Sequence, residues 1–348
     1  MRNNKRRGFI CLRFLMIVLT LHASGALVFG HDSSSDHSPY IFMKIDIPTP
    51  KGQLGFTALA DINEKGEITG GFTDSNLGPY GFFLNKKMRP TDIRCSKDVV
   101  SAEPQAINKH AEIAGFASVV TDRIKIQVPP FEILITKLSG FFLDKKGRCT
   151  ILDFPGANLT EATGVNDDGQ VVGDYRDAGG KFHGFFWDAG LFLTIDVPFS
   201  EGTTTAATAI NNVGQIVGYY FDNIVTASFP NGHTHGFLYD SGTFTAFDFP
   251  DGLATLPVDV NDQGQILGIY GDANFVGRSF LLQDGSFTSF DVPFSDVYAT
   301  QVSGINNKGQ IVGRYLEYNS GDPVNPFLSH GFIATPRRSD SRLFARAL

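Results

Sequence analysis

The sequence predicts an all-β fold: a six-bladed β-propeller with four antiparallel strands per blade. Three observations lead there. A nine-residue pattern recurs six times, two further elements follow it in order, and the last repeat lacks an outer strand that is found near the N-terminus. The composition agrees: 32 Phe and 38 Gly in 348 residues make a Gly-punctuated text of short apolar runs, without long helical periodicity.

The nine-residue pattern is Ile62–Gly70 (INEKGEITG), Ile107–Gly115, Val165–Gly173, Ile210–Gly218 (INNVGQIVG), Val260–Gly268 and Ile305–Gly313, with start-to-start spacings of 45, 58, 45, 50 and 45 residues. A period of this size is that of a propeller blade. After each copy comes a small residue and a Phe: Gly81-Phe82, Gly140-Phe141, Gly184-Phe185, Gly236-Phe237, Ser279-Phe280 and Gly331-Phe332. An apolar-Asp-apolar-Pro run closes four units at Pro155, Pro198, Pro250 and Pro293, and decays in the first to Thr91-Asp92-Ile93.

The fourth unit shows how these elements become strands. Strand a is expected over 207–210, a turn over 211–214, strand b over 215–221, strand c over 235–240, and strand d over 243–249 after the hairpin Ser241-Gly242. Asn opens the first turn and Gly supplies positive φ. Proline ends strand d by removing a ladder donor. The sixth unit stops after strand c, at Pro336, while Phe42–Pro48 (FMKIDIP) matches Phe244–Pro250 (FTAFDFP). A ring whose N-terminal strand, 42–48, completes the last blade accounts for both ends and leaves no open edge to cap. An open β-solenoid has no use for a split repeat.

Residues 1–30 read as a secretory signal peptide: Arg2, Lys5, Arg6 and Arg7, then an apolar run to Phe29 interrupted by Arg13 and His22, then small residues. The apolar core is short for a spanning helix, so removal is expected and an uncleaved anchor is the rival. Residues 31–39 read as a linker, 40–336 as the propeller domain and 337–348 as a mobile tail. Removal takes five basic side chains and moves the net charge from −7 to −12. An acidic domain of this kind is not expected to bind nucleic acid. No second apolar span exists to cross a membrane, and a secreted monomer, extracellular or periplasmic, is expected. Cys95 and Cys149 remain, either bonded in an oxidising compartment or as two free thiols.

With its INxxGQIVG, His-Gly-Phe and Asp-Val-Pro elements, the chain resembles the bacterial extracellular repeat family named HAF over residues 40–336. It departs from that family in carrying His-Gly-Phe at 183, 235 and 330 instead of His-Ala-Phe, and Ala111 in place of a turn glycine. The resemblance implies an exported repeat protein and no particular activity.

Hairpin register sets His183 opposite Asp196, His235 opposite Asp248 and Arg278 opposite Asp291, and ring closure sets His330 opposite Asp46. His beside Asp is a base with its orienting group, but a pair repeated from unit to unit reads as cross-strand stabilisation. The carboxylate is expected to raise the histidine pKa values. The Asn-x-x-Gly turns raise calcium, but Gln170, Gln215, Gln265 and Gln310 stand where a loop of oxygen ligands wants a carboxylate. They read as hairpin turns, and no metal or other cofactor is expected. Asp61 and Asp259, on strands a of the first and fifth units, are the acidic residues to check first for a site converging at a channel mouth, and are expected to satisfy local backbone groups.

The b–c connections of the second, fourth and sixth units are long, at 117–139, 223–234 and 316–329. In a propeller they emerge at one end; insertions at one end of a repeat array mark a binding face or record neutral drift in length. Candidate contacts are Arg123, Lys125, Phe131, Phe229, His233, Tyr318 and Asp322. The function expected is a non-enzymatic binding module for an extracellular glycan or protein. The alternative is a hydrolase or lyase with a metal-assisted site at the channel mouth.

Overall fold

The computed structural model describes residues 28–31, 38–47, 56–73, 80–127, 130–198, 204–222, 224, 233–274, 276–319 and 327–337; Phe229, Asp322 and Pro48 lie outside them. Every regular element among the described residues is a strand. After β1 (Val28–His31) and β2 (Tyr40–Asp46), the first unit supplies β3 (Phe56–Ile62), β4 (Ile68–Thr73), β5 (Tyr80–Leu84) and β6 (Pro90–Asp92). The second supplies β7 (Val99–Ile107), β8 (Ile113–Gln127), β9 (Pro130–Leu143) and β10 (Cys149–Leu152), and the third β11 (Leu159–Val165), β12 (Val171–Arg176), β13 (Phe182–Asp188) and β14 (Leu191–Ile195). The fourth supplies β15 (Thr205–Ile210), β16 (Ile216–Phe221), β17 (Thr234–Asp240) and β18 (Thr243–Phe247). The fifth supplies β19 (Ala254–Val260), β20 (Ile266–Gly271), β21 (Gly277–Gln283) and β22 (Ser286–Phe290), and the last β23 (Val297–Ile305), β24 (Ile311–Tyr318) and β25 (Phe327–Pro336).

Three units are separate four-stranded antiparallel sheets, β3–β6, β7–β10 and β11–β14. β15–β22 form an eight-stranded sheet whose two antiparallel runs meet at one parallel bridge, Thr234 to Ala254. The remaining sheet has the order β1-β2-β25-β24-β23. The N-terminal β2 lies antiparallel to the C-terminal β25, with Tyr40 opposite Pro336 and Ile45 opposite Gly331. The innermost strands β3, β7, β11, β15, β19 and β23 each touch the next around an axis, and β23 touches β3. The molecule is an all-β β-propeller. β1 adds an outer strand to the closing sheet and overlaps the end of the segment read as an export signal.

The recurring residues have recurring mechanical tasks. Phe82, Phe141, Phe185, Phe237, Phe280 and Phe332 are all fully buried, each contributing about 1.5–3 kcal/mol by leaving water. The Gly that ends the nine-residue pattern makes room for them. A Cβ on Gly173 would sit 2.0 Å from the Glu161 carbonyl oxygen and 2.8 Å from the Phe185 ring. The a–b turn is closed by Asn: in the fourth unit Asn211 Oδ1 accepts from the N–H groups of Val213 (3.2 Å) and Gln215 (2.9 Å). Gly214 takes φ +85° there, and in the second unit Ala111 is forced to φ +60°. Ser241-Gly242, with φ +49° and +88°, makes the primed two-residue hairpin.

Two expectations need correction. The long connection of the second unit is not a loop: β8 and β9 run 15 and 14 residues and project as a two-stranded ribbon. Its β-branched, alternating sequence around Ile124, Ile126, Ile133 and Ile135 favours continued pairing over coil. Likewise Leu316–Tyr318 and Phe327–Ser329 extend the hairpin of the sixth unit. Cys95 and Cys149, left open by the sequence, are joined in a disulfide with a Cα–Cα distance of 5.1 Å, tying the segment before β7 to the outer strand β10.

Candidate functional site

Strand alternation gives the propeller two unlike ends: one carries the a–b and c–d turns, the other the b–c and d–a connections. At the first end, the six turn asparagines form a closed circuit. Each Asn Nδ2 donates to the main-chain carbonyl of the Asn in the following unit: Asn63 to Asn108 (3.0 Å), Asn108 to Asn166 (2.9 Å) and Asn166 to Asn211 (3.4 Å). The circuit continues from Asn211 to Asn261 (2.9 Å), from Asn261 to Asn306 (3.2 Å), and from Asn306 back to Asn63 (3.0 Å). All six side chains are buried. Outside this circuit runs an open series of five bonds, in which the following residue's side chain accepts a backbone N–H from the preceding unit. Lys109 N–H donates to Asp167 (2.9 Å), Asp167 to Asn212 (2.7 Å), Asn212 to Asp262 (2.8 Å), Asp262 to Asn307 (2.7 Å) and Asn307 to Glu64 (2.6 Å). The polar groups of this mouth are therefore engaged in holding units together.

Just inside lie Asp61 and Asp259. Asp61 accepts from the N–H of Ile107 (2.8 Å) and of its neighbour Ile62 (2.7 Å). Asp259 accepts from Ile305 (2.6 Å) and Val260 (2.8 Å). Burial pushes both carboxyl pKa values up, and for Asp61 the charge of Asp259 adds to it. All four carboxyl oxygens are thus committed to backbone donors, as the sequence led us to expect of these two residues.

At the opposite end, the cross-strand pairs form larger groups. His183 Nδ1 lies 2.8 Å from Asp196 and its Nε2 3.4 Å from Asp177. His235 lies 2.9 Å from Asp248 and 3.3 Å from Asp222. Burial draws the His235 pKa down, but the bonds to Asp248 and Asp222 outweigh it and hold it above the ordinary value. His330 lies 2.7 Å from Asp46, both fully buried, across the seam between the two chain ends. Tyr175, Tyr220 and Tyr315 each lie 5.1 Å, ring to ring, from the histidine of their unit. In the fifth unit Arg278 and Asp291 face each other as expected, but the direct bond lies elsewhere. Arg278 Nε bonds Asp272 (3.3 Å) on the b–c connection, while Asp291, though opposite in register, has its pKa raised by burial against the pull of Arg278. Asp272 holds the place that Asp177 and Asp222 hold beside their histidines, so in this unit that second contact is the direct bond. Sequence reasoning missed Asp177, Asp222, Asp272 and Glu317; an acidic residue four positions after the last Gly of the pattern, in these units and again at Asp74 in the first, was the available signal.

The candidate contacts do not converge on one pocket. Arg123 and Lys125 lie on the ribbon, with Phe131 opposite Ile126 in register. The ribbon root is tied on both sides, by Arg123 to Asp98 (3.5 Å) and Lys137 to Asp153 (2.8 Å). Beyond the root, cross-strand partners Ile124 and Ile133 are 43 % and 44 % exposed. His233 is turned inward to Asp222, Nδ1 to Oδ2 3.4 Å. Tyr318 stands on the sixth unit, 57 % exposed, beside Phe327, with ring centroids 6.0 Å apart. Among the described residues no group of three or more His, Cys, Asp or Glu has the arrangement of a metal site, and no helix is long and apolar enough to cross a membrane.

No family model matches the chain, and no curated protein matches it. Among solved structures it is similar to the β-propeller domain of the Trilobed protease from Pyrococcus furiosus (12% identity, TM-score 0.44, covering 80% of this chain and 93% of that one). It is also similar to a gluconolactonase from Xanthomonas campestris (9% identity, TM-score 0.46, 92% and 97%). A third similar structure is a fucose-specific lectin from Aleuria aurantia (11% identity, TM-score 0.41, 76% and 90%). Their activities differ, and likeness at this level assigns none of them to this chain.

Proposed function

We propose that this chain is an exported, monomeric, six-bladed propeller of the HAF repeat type that acts as a non-enzymatic binding module for an extracellular glycan or protein. Its ligand is received at the end carrying the b–c connections. One observation carries the reading: the surface that breaks the repeat is at that end. There the ribbon of the second unit exposes Ile124, Ile133 and Ile135, and the sixth unit exposes Tyr298 and Tyr318. The a–b end, by contrast, repeats its asparagine circuit around the ring.

An enzymatic site is normally built once. The His–Asp groups recur in three units, and Asp61 and Asp259 spend their oxygens on backbone N–H groups. Both features favour structural duty over turnover.

The test is capture of the labelled full chain on an array of glycans and extracellular proteins, with two variants. One shortens the ribbon by deleting residues 121–136 and adds Tyr318→Ala; the other carries Lys109→Ala at the a–b rim. Capture lost in the first and kept in the second is expected. Capture lost only in the second, or turnover of ester or glycoside substrates by the purified chain, overturns the reading.

A further inference from the structure

We propose that Tyr298, Tyr318 and Phe327 form a stacking platform for an uncharged hexose ring, which rests on the binding-module reading and names its ligand. The three residues come from three strands at the b–c end of the sixth unit: near the start of β23, at the end of β24 and at the start of β25. Phe327 is the hub. Tyr298 lies 4.7 Å from it, tilted by 43°, and Tyr318 lies 6.0 Å away at 68°. The two tyrosines are 52 % and 57 % exposed, so each keeps more than half of its surface in water while an edge is held against Phe327.

This cluster is not part of the repeat. Counted back from the turn Asn, the position of Tyr298 is held by Gly55, Val100, Asn158, Thr203 and Leu253 in the other units. Counted from the last Gly of the pattern, the position of Tyr318 is held by Ser75, Val120, Ala178, Asn223 and Ala273. The propeller is therefore built five times without aromatics at these positions. Ring assembly does not require them, and their exposure means that they contribute little to its core.

The platform is also braced. Tyr318 N–H donates to the Asp296 carbonyl (3.1 Å), which pins the end of β24 to the segment entering β23. Asp296 itself sits at φ +59°, a left-handed conformation that sets the direction of the chain leading to Tyr298. Tyrosine offers a large rigid face with one polar tip at little entropic cost.

A pyranose ring matches that surface: its axial C–H groups form an apolar face, and its hydroxyls need acceptors at the rim. The exposed Asp296, two residues before Tyr298, and the two tyrosine hydroxyls are the polar groups assigned to meet them. Glu317, next in the chain, stands 3.7 Å from Lys44 and 3.4 Å from His330. Asp296 and the −7 charge of the chain disfavour uronic or sulfated sugars, so the ring is uncharged.

The test is saturation-transfer NMR and calorimetric titration of the full chain with cellohexaose, maltohexaose, chitohexaose and, as the charged control, oligogalacturonate. At least one neutral hexamer is expected to bind and oligogalacturonate is not. Tyr298→Ala and Tyr318→Ala are each expected to weaken binding about tenfold, the scale of a lost aromatic contact, with melting temperature unchanged. Tyr318→Phe, which keeps the face, is expected to retain most of it. Failure of all three neutral hexamers to bind, or binding indifferent to both alanine variants, overturns the platform. In that event, array capture that still depends on the ribbon leaves the binding-module reading standing, and its loss removes both.

Discussion

Replacing Asn306 by alanine tests whether the asparagine circuit closes the ring. Its Oδ1 accepts from the N–H groups of Lys308 (3.0 Å) and Gln310 (3.1 Å). Its Nδ2 donates to Gln310 Oε1 (3.0 Å) and to the carbonyl of Asn63 (3.0 Å), across the seam between the last and first units. The side chain is 3 % exposed, so water does not readily replace what is lost. At about 1 kcal/mol net for each buried bond, counting the two bonds of the turn and the one across the seam, the expected loss is about 3 kcal/mol. Urea unfolding followed by the fluorescence of Trp187 reads it as a lower midpoint with unchanged slope. Asn306→Asp keeps the two acceptor bonds of the turn but sets a carboxylate against the Asn63 carbonyl and Gln310 Oε1, and so separates the turn bonds from those of the amide nitrogen. Asn261→Ala removes the equivalent set inside the ring and is expected to cost the same within about 0.5 kcal/mol. A cost below about 1 kcal/mol for Asn306→Ala, beside a full cost for Asn261→Ala, would refute a circuit that closes.

Three further outcomes follow from individual residues. Ala111→Gly relieves a left-handed alanine, φ +60°, and should stabilise the chain by about 1 kcal/mol in the same urea assay. Gly173→Ala should destabilise strongly, by about 3 kcal/mol or more, because the new methyl would lie 2.0 Å from a backbone oxygen that cannot retreat; soluble yield and melting temperature report it. Burial pushes the Glu103 carboxyl up from 4.5 to about 7. Its folded pKa is raised, so its contribution to stability is present at low pH and is lost as pH rises through about 7. Glu103→Gln should flatten that fall, and melting curves taken from pH 4 to 8 that stay parallel between variant and parent would contradict it.

Much of this architecture is local and periodic, and for that reason it was readable in the chain. The Asn-x-x-Gly turn needs only its own four residues and a positive φ. The Gly and Phe of each unit announce a close approach by their spacing, and the surplus strand Phe42–Pro48 announces its absence from the other end. The register that brings His183 and His235 to their aspartates follows from counting about a two-residue turn, and that of His330 with Asp46 from matching the surplus N-terminal strand to the missing one.

What the sequence could not supply is direction across the gap between units. Nothing local says that Asn63 Nδ2 meets the carbonyl of Asn108, because the contact depends on how far one sheet is rotated from the next. Register set Arg278 opposite Asp291, whose carboxyl feels its charge, but the direct bond of Arg278 goes to Asp272, which strand register does not encode. The ribbon of the second unit was read as a loop by its length, and only pairing between its two halves showed otherwise. The sequence by itself determined the repeat, its strands and the meeting of its ends, since these rest on short-range stereochemistry and alternating burial. The tertiary structure decided which side chains bridge the units, and which of them, such as Tyr298 and Tyr318, are left facing water.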